Sequence, residues 1–205
     1  MSYPLFPVVP RMQVKESLAW LTDVHEAWTG EELRVKLRVE PRRYYEISFV
    51  LKRYDKAILD AALFANVLHE TATVPDRLRW SLPIWCDMQK LGADLAAGVG
   101  TVSGIVTAGY DFRAGGLVAL IKARASYEFN RFACLRPEDY ELMTIDTFDA
   151  NSITFTDTTT KDFNAGSLLL PVRVARLDSP VDIVDALGGA QSYDGTAAFQ
   201  CEVAE

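Results

Sequence analysis

Histidine and cysteine are scarce in this 205-residue chain, which has two of the first and three of the second. His25 and His69 stand in no metal-ligand spacing with cysteine or carboxylate residues, so no metal site is expected. Cys86, Cys134 and Cys201 are odd in number and far apart, which suits buried thiols in a reducing compartment better than a disulfide framework. The sequence has no Walker A, no dinucleotide-binding glycine signature and no G-x-S-x-G elbow. The stretch GVGTVSG at 98–104 has the glycines of a phosphate loop without its lysine or its following helix. No apolar run approaches the ~18 residues that cross a bilayer, and 117–121 is only strand-length. The opening MSYPLFPVVP shows no positive region ahead of an apolar run, so no secretory signal is read. These absences predict a protein folded in a cytoplasm, without membrane insertion, cofactor or catalytic residues.

Charge narrows the partners. A net charge of −7 opposes wrapping of nucleic acid by counterion release, although net charge of this size also serves plain solubility. The acidic residues Asp146, Asp149, Asp157 and Asp162 do not follow the spacing of a calcium loop. Cys86 lacks a cationic neighbour in sequence that would make it a nucleophile. Basic residues do gather, as Arg34, Lys36, Arg38, Arg42 and Arg43, followed by Lys52 and Arg53. On a sheet face they are either a solvated surface or a contact for an acidic patch on a neighbouring subunit.

About half of the residues are apolar, enough for a packed core. Prolines 4, 7 and 10 predict an extended arm whose apolar residues must lie on its own domain or on a neighbour. Residues 14–28 fit a helix and a strand equally. Leu33, Val35, Leu37 and Val39 alternate with charged residues as in a half-buried strand. Tyr45, Ile47, Phe49 and Leu51 repeat that pattern, which predicts a hairpin or a bulged strand pair. The period then changes: Tyr54, Ile58, Ala61, Ala62, Ala65 and Leu68 predict one amphipathic helix over 53–69. Short strands are predicted at 82–85, 117–122, 126–135, 141–146 and 152–156, with a turn at 149–152. Tyr193-Asp-Gly195 reads as punctuation before a last alternating strand, Ala197 to Val203, which should pair with the first sheet.

One phrase occurs twice. YDFRAGGLVALI starts at Tyr110 and KDFNAGSLLLPV at Lys161, sharing Asp-Phe-x-Ala-Gly-x-Leu about fifty residues apart. Asp111 and Asp162 could form a catalytic pair only by converging on one substrate. The simpler reading is a reused corner: Gly115 and Gly166 supply unusual backbone geometry, Phe112 and Phe163 fill a core, and the aspartates bond turn amides. Leu117 and Leu168 should then begin strands.

The order of SLAWLTDVHEAWTGEELRVKLRVEPRRYYEISFVL, the helix, LPIWCDMQKL, YDFRAGGLVALI and DFNAGSLLLPVRVARL resembles tail proteins of long-tailed bacteriophages. Within these, it looks most like the distal tail proteins of the siphovirus tail tip. The resemblance spans about 14–177 and rests on T-D-V, G-x-E-x-R and L-R-x-x-P-R-R. It implies a mainly β fold with one amphipathic helix: a tail-tube-like β-barrel or sandwich domain over 1–78 and 172–205, with a small OB- or SH3-like barrel inserted at 79–171. It further implies a structural virion protein, assembled in the host cytoplasm as a hexameric ring. That ring would join tail tube protein, tail hub and other tail-tip or baseplate proteins, serve host attachment, and pass DNA through its lumen during genome ejection. The rival reading is a carbohydrate- or receptor-binding module of a tail or adhesin, with Trp80, Trp85 and Tyr110 as stacking residues.

Overall fold

The computed structural model describes residues 3–10, 14–20, 22–26, 32–36, 41–69, 79–123, 134–185 and 192–201. Side chains of 22–26, 32–36, 66–69 and 185 are outside that description. The fold is mainly β, with one α-helix among the described residues. The strands are β1 (Val14–Ala19), β2 (Thr22–Glu26), β3 (Glu32–Lys36), β4 (Arg42–Lys52), β5 (Arg79–Pro83), β6 (Gln89–Lys90), β7 (Thr101–Ser103), β8 (Leu117–Ile121), β9 (Tyr140–Asp149), β10 (Ser152–Phe155), β11 (Leu168–Leu177), β12 (Asp182–Asp185) and β13 (Ser192–Cys201). Helix α1 spans Arg53–His69.

All but β2 and β3 join one antiparallel sheet, which runs open from β1 through β4, β13, β11, β8, β9 and β10 to β7. The 14–28 ambiguity resolves as strand over 14–19 and 22–26, while 27–28 lie outside the described residues. Among the described residues, the expected pairing of 33–39 with 45–51 is not found. β3 pairs with β2 as a separate two-stranded ribbon, and β4 lies between β1 and β13. Alternation marks a strand without naming its neighbour. Tyr45, Ile47, Phe49 and Leu51 are all buried and face the core with Ala197, Phe199 and Cys201 of β13, the expected last strand. Val203 and 126–133 lie outside the described residues.

β11 is the spine. Leu169 belongs to one apolar cluster with Phe112, Val118, Ile145 and Phe163. Leu170 and Val172 join a second with Leu5 and Leu135. Ala175 and Leu177 join a third with Phe6, Phe49, Trp80 and Phe199. On one flank β11 pairs first with β6 and then with β5; Pro171, which has no N–H to give, lies between those two pairings. Trp80, Leu82, Ile84 and Cys134 pack into the third cluster, although they fall within 79–171.

The proline-rich arm lies on its own chain. Phe6 N–H donates to the Ser81 carbonyl at 2.9 Å, Ser81 N–H to that of Pro4 at 2.8 Å, and Leu135 N–H to that of Pro7 at 2.7 Å. Leu5, Phe6 and Val8 are buried as a result.

α1 follows β4 with no loop. Asp55 reaches back to accept from the Lys52 N–H at 3.4 Å, one half of a capping box. The face turned inward holds Leu59, with Ile58, Ala62 and Leu63 beside it. Tyr54, Ala61 and Ala65 from the expected apolar face are exposed. Tyr54 lies beneath the Arg136 guanidinium, 5.2 Å from the ring centre.

Tyr193-Asp-Gly195 is not a turn. β13 runs straight through it, and glycine stands at 195 because the Phe49 ring on β4 occupies the space where a side chain would stand.

Candidate functional site

The doubled phrase forms the same corner twice. Gly115 has φ 72° and Gly166 has φ 85°. In the first copy Gly116 N–H donates to the Arg113 carbonyl at 2.9 Å; in the second, Ser167 N–H donates to that of Asn164 at 2.9 Å. A bond from i+3 to i with positive φ at i+2 is the type II arrangement that favours glycine. Each corner also grips a neighbouring segment through two bonds. Gly115 N–H donates to the Ile145 carbonyl and Ile145 N–H to that of Gly116; Gly166 N–H donates to the Leu91 carbonyl and Leu91 N–H to that of Ser167. Phe112 and Phe163 are buried in one cluster, and β8 and β11, which open at Leu117 and Leu168, pair with each other.

The aspartates differ. Asp162 accepts from the Ala97 amide at 2.8 Å, as a turn carboxylate should. Asp111 instead takes a bidentate grip from Arg173 on β11, at 2.6 and 2.7 Å, with Arg113 at 3.1 Å. Burial opposes ionisation of Asp111, but the Arg173 bonds and charge, helped by Arg113 and Arg43, outweigh it and hold the carboxyl below the usual range. The Asp111 N–H donates to Asp87 at 3.1 Å. Burial, together with the charges of Asp111 and Glu16, raises the Asp87 carboxyl. Asp111 and Asp162 thus serve different partners, and Asp111 is neutralised in place.

The basic cluster divides. Arg43 donates to Glu16 on β1 at 3.0 Å, and the Tyr45 hydroxyl reaches the same carboxylate at 3.1 Å. With the Gln200 amide turned so that its oxygen faces Arg42, that oxygen accepts from Arg42 at 2.6 and 2.8 Å. Both arginines therefore bond within their own chain. Arg34 and Lys36 fall on β3, with side chains outside the described set, and Arg38 lies outside the described residues.

Of the aromatic candidates, Trp80 is fully buried and edge-on to Phe6, so it has no face to offer a sugar. Trp85 is half-buried against Leu5 and its neighbours. Tyr110 is exposed.

Two features were missed in the sequence. Leu18 and Trp20, on and just after edge strand β1, are more than half exposed. A groove of about 490 Å³ lies over β4, β13 and β12, lined by Ser48, Val50, Asp182, Val184, Asp194 and Thr196 among others. The Pro180 and Tyr193-Asp-Gly195 signals hid the pairing of β12 with β13 that forms it. Among the described residues no cluster of three His, Cys, Asp or Glu could hold a metal ion, and no helix is long and apolar enough to cross a membrane.

No protein-family model matches this chain, and a search of curated proteins finds no significant relative.

Proposed function

We propose that this chain is a structural, non-enzymatic protein of a long-tailed phage tail tip, of the distal tail protein kind. It forms a ring, hexameric on this reading, that joins the tail tube to the host-recognition apparatus and leaves a channel for DNA. One observation carries the reading. The β4–β13 pair is flanked by β1 and β12, each paired on one side only among the described residues, and a ribbon (β2–β3) pairs only with itself. Unpaired edges are ready templates for a neighbouring chain, and head-to-tail contacts close into rings. The resemblance in the 14–177 sequence supplies the tail-tip assignment.

On this reading 1–78 and 172–205 make the tail-tube-like domain and 79–171 a small inserted barrel. The separate apolar cluster of 91–169 supports the insertion, with 80–84 packing on the first domain. The bridge of Leu95 to Phe163 and the pairing of 101–103 with 152–154 both fall within that region.

Mass spectrometry of purified virions, with sizing of the isolated protein, tests the proposal. The expected result is a tail-associated chain that assembles in multiples. Absence from virions together with a strictly monomeric protein would refute it. The glycan-binding rival now rests on Tyr110, and loss of a saturable glycan signal in Tyr110→Ala would favour it.

A further inference from the structure

The groove over β4, β13 and β12 has an apolar floor at Val50 and Val184, and Val184 is 66% exposed. Asp182 and Asp194 stand along it, and neither carboxylate is paired with a cation among the described residues. Asp182 lies opposite Thr196, and Asp194 opposite Val184. The two acids are therefore one strand and two residues apart, about 8 Å from strand spacing and rise.

The same chain carries a segment of matching chemistry. Residues 33–39, Leu-Arg-Val-Lys-Leu-Arg-Val, place cations two residues apart, about 7 Å along a strand. The first part of that segment is β3, in a ribbon that pairs with no other described strand. A two-stranded ribbon is marginal in water until it lies on a surface.

We propose that the groove receives the β3 segment of a second copy of the chain, with Arg34 and Lys36 set against Asp182 and Asp194. The two positive charges of that segment match the two carboxylates in sign and in spacing. This inference rests on the ring reading and names the surfaces by which ring neighbours join.

Charge reversal tests it, with association followed by sedimentation of the full chain. One variant carries Asp182→Lys and Asp194→Lys; the other carries Arg34→Glu and Lys36→Glu. Each alone should raise the dissociation constant on the order of tenfold or more. An equimolar mixture should recover association, because the basic arm of one variant fits the acidic groove of the other. Circular dichroism should show both variants folded. If the wild type assembles and the groove variant assembles equally well, the groove assignment falls and the ring reading stands. Loss in both variants without recovery on mixing also overturns the groove assignment. A wild type that stays monomeric overturns both.

Discussion

Arg173 holds Asp111 through two hydrogen bonds of 2.6 and 2.7 Å, joining residues sixty-two positions apart. One partner sits in the repeated corner and the other on the strand that threads all three apolar clusters. Both side chains are largely buried, at 9% and 15% exposure, so removing Asp111 takes from Arg173 its bidentate carboxylate, while removing Arg173 leaves Asp111 the longer Arg113 contact. Asp111→Asn should lower unfolding free energy by about 3 kcal/mol, and Asp111→Leu with Arg173→Met should cost less than the two single changes added. Urea unfolding of the four proteins measures the coupling.

That ion pair also sets a pH dependence. The folded Asp111 carboxyl lies below the ~3.9 expected when unfolded. Its contribution is therefore present above about pH 4 and is lost as pH falls through the lower folded value. Asp87 works the other way, since its raised carboxyl adds stability at low pH that is lost as pH rises through the folded value. The gap in melting temperature between wild type and Asp111→Asn should narrow below about pH 4. An unchanged gap would remove Asp111 as the source.

Gly195 and the two corner glycines should fail for different reasons. Gly195→Ala drives a methyl into the Phe49 ring and should cost about 1–3 kcal/mol, partly relieved by adding Phe49→Leu. Gly115→Ala meets open space and Gly166→Ala only an ordinary contact with Ala123 at 3.9 Å, yet each should cost about 1–2 kcal/mol because positive φ strains any side chain. Thermal melts of the four variants separate a packing cost, which a second change relieves, from a backbone cost, which it does not.

Thiol chemistry divides the cysteines. Burial pushes Cys134 and Cys201 up to about 12, whereas Cys86 is exposed and raised by partial burial and by Asp87. At pH 8 a disulfide reagent should titrate one thiol in the native protein and three in denaturant. The native rate should rise with pH, since only the thiolate reacts. Fast titration of a second native thiol would contradict the burial of Cys134 and Cys201.

Trp80→Ala should cost about 3–5 kcal/mol, and Trp80→Phe less, because the indole N–H has no hydrogen-bond partner among the described residues. Tyr110→Ala should shift stability by no more than about 0.5 kcal/mol. Denaturant midpoints decide this, and a neutral Trp80→Ala would contradict its place in the core.

Local features were legible in the sequence because they depend on local rules. The limits of α1, the burial of Tyr45 through Leu51, and the corners at Gly115 and Gly166 all follow from period and turn chemistry. Pairings across distance were not legible. Nothing local in 33–39 says that β3 pairs with β2, and nothing in Asp111 names Arg173, because charge carries no address along the chain. The inward face of α1 was misplaced for a related reason: Tyr54 and Leu59 are both apolar, and only the position of the sheet decides which one it covers. The groove was hidden because Asp-Gly reads as a turn unless the cross-strand phenylalanine is known.

Electron cryomicroscopy of purified virion tails tests the central claim most directly. The account predicts several copies of this chain in a closed ring at the tail tip, around an open channel, with β1 and β12 edges and the 33–39 segment at subunit contacts. Density for the chain only as isolated copies, or elsewhere in the particle, would contradict it.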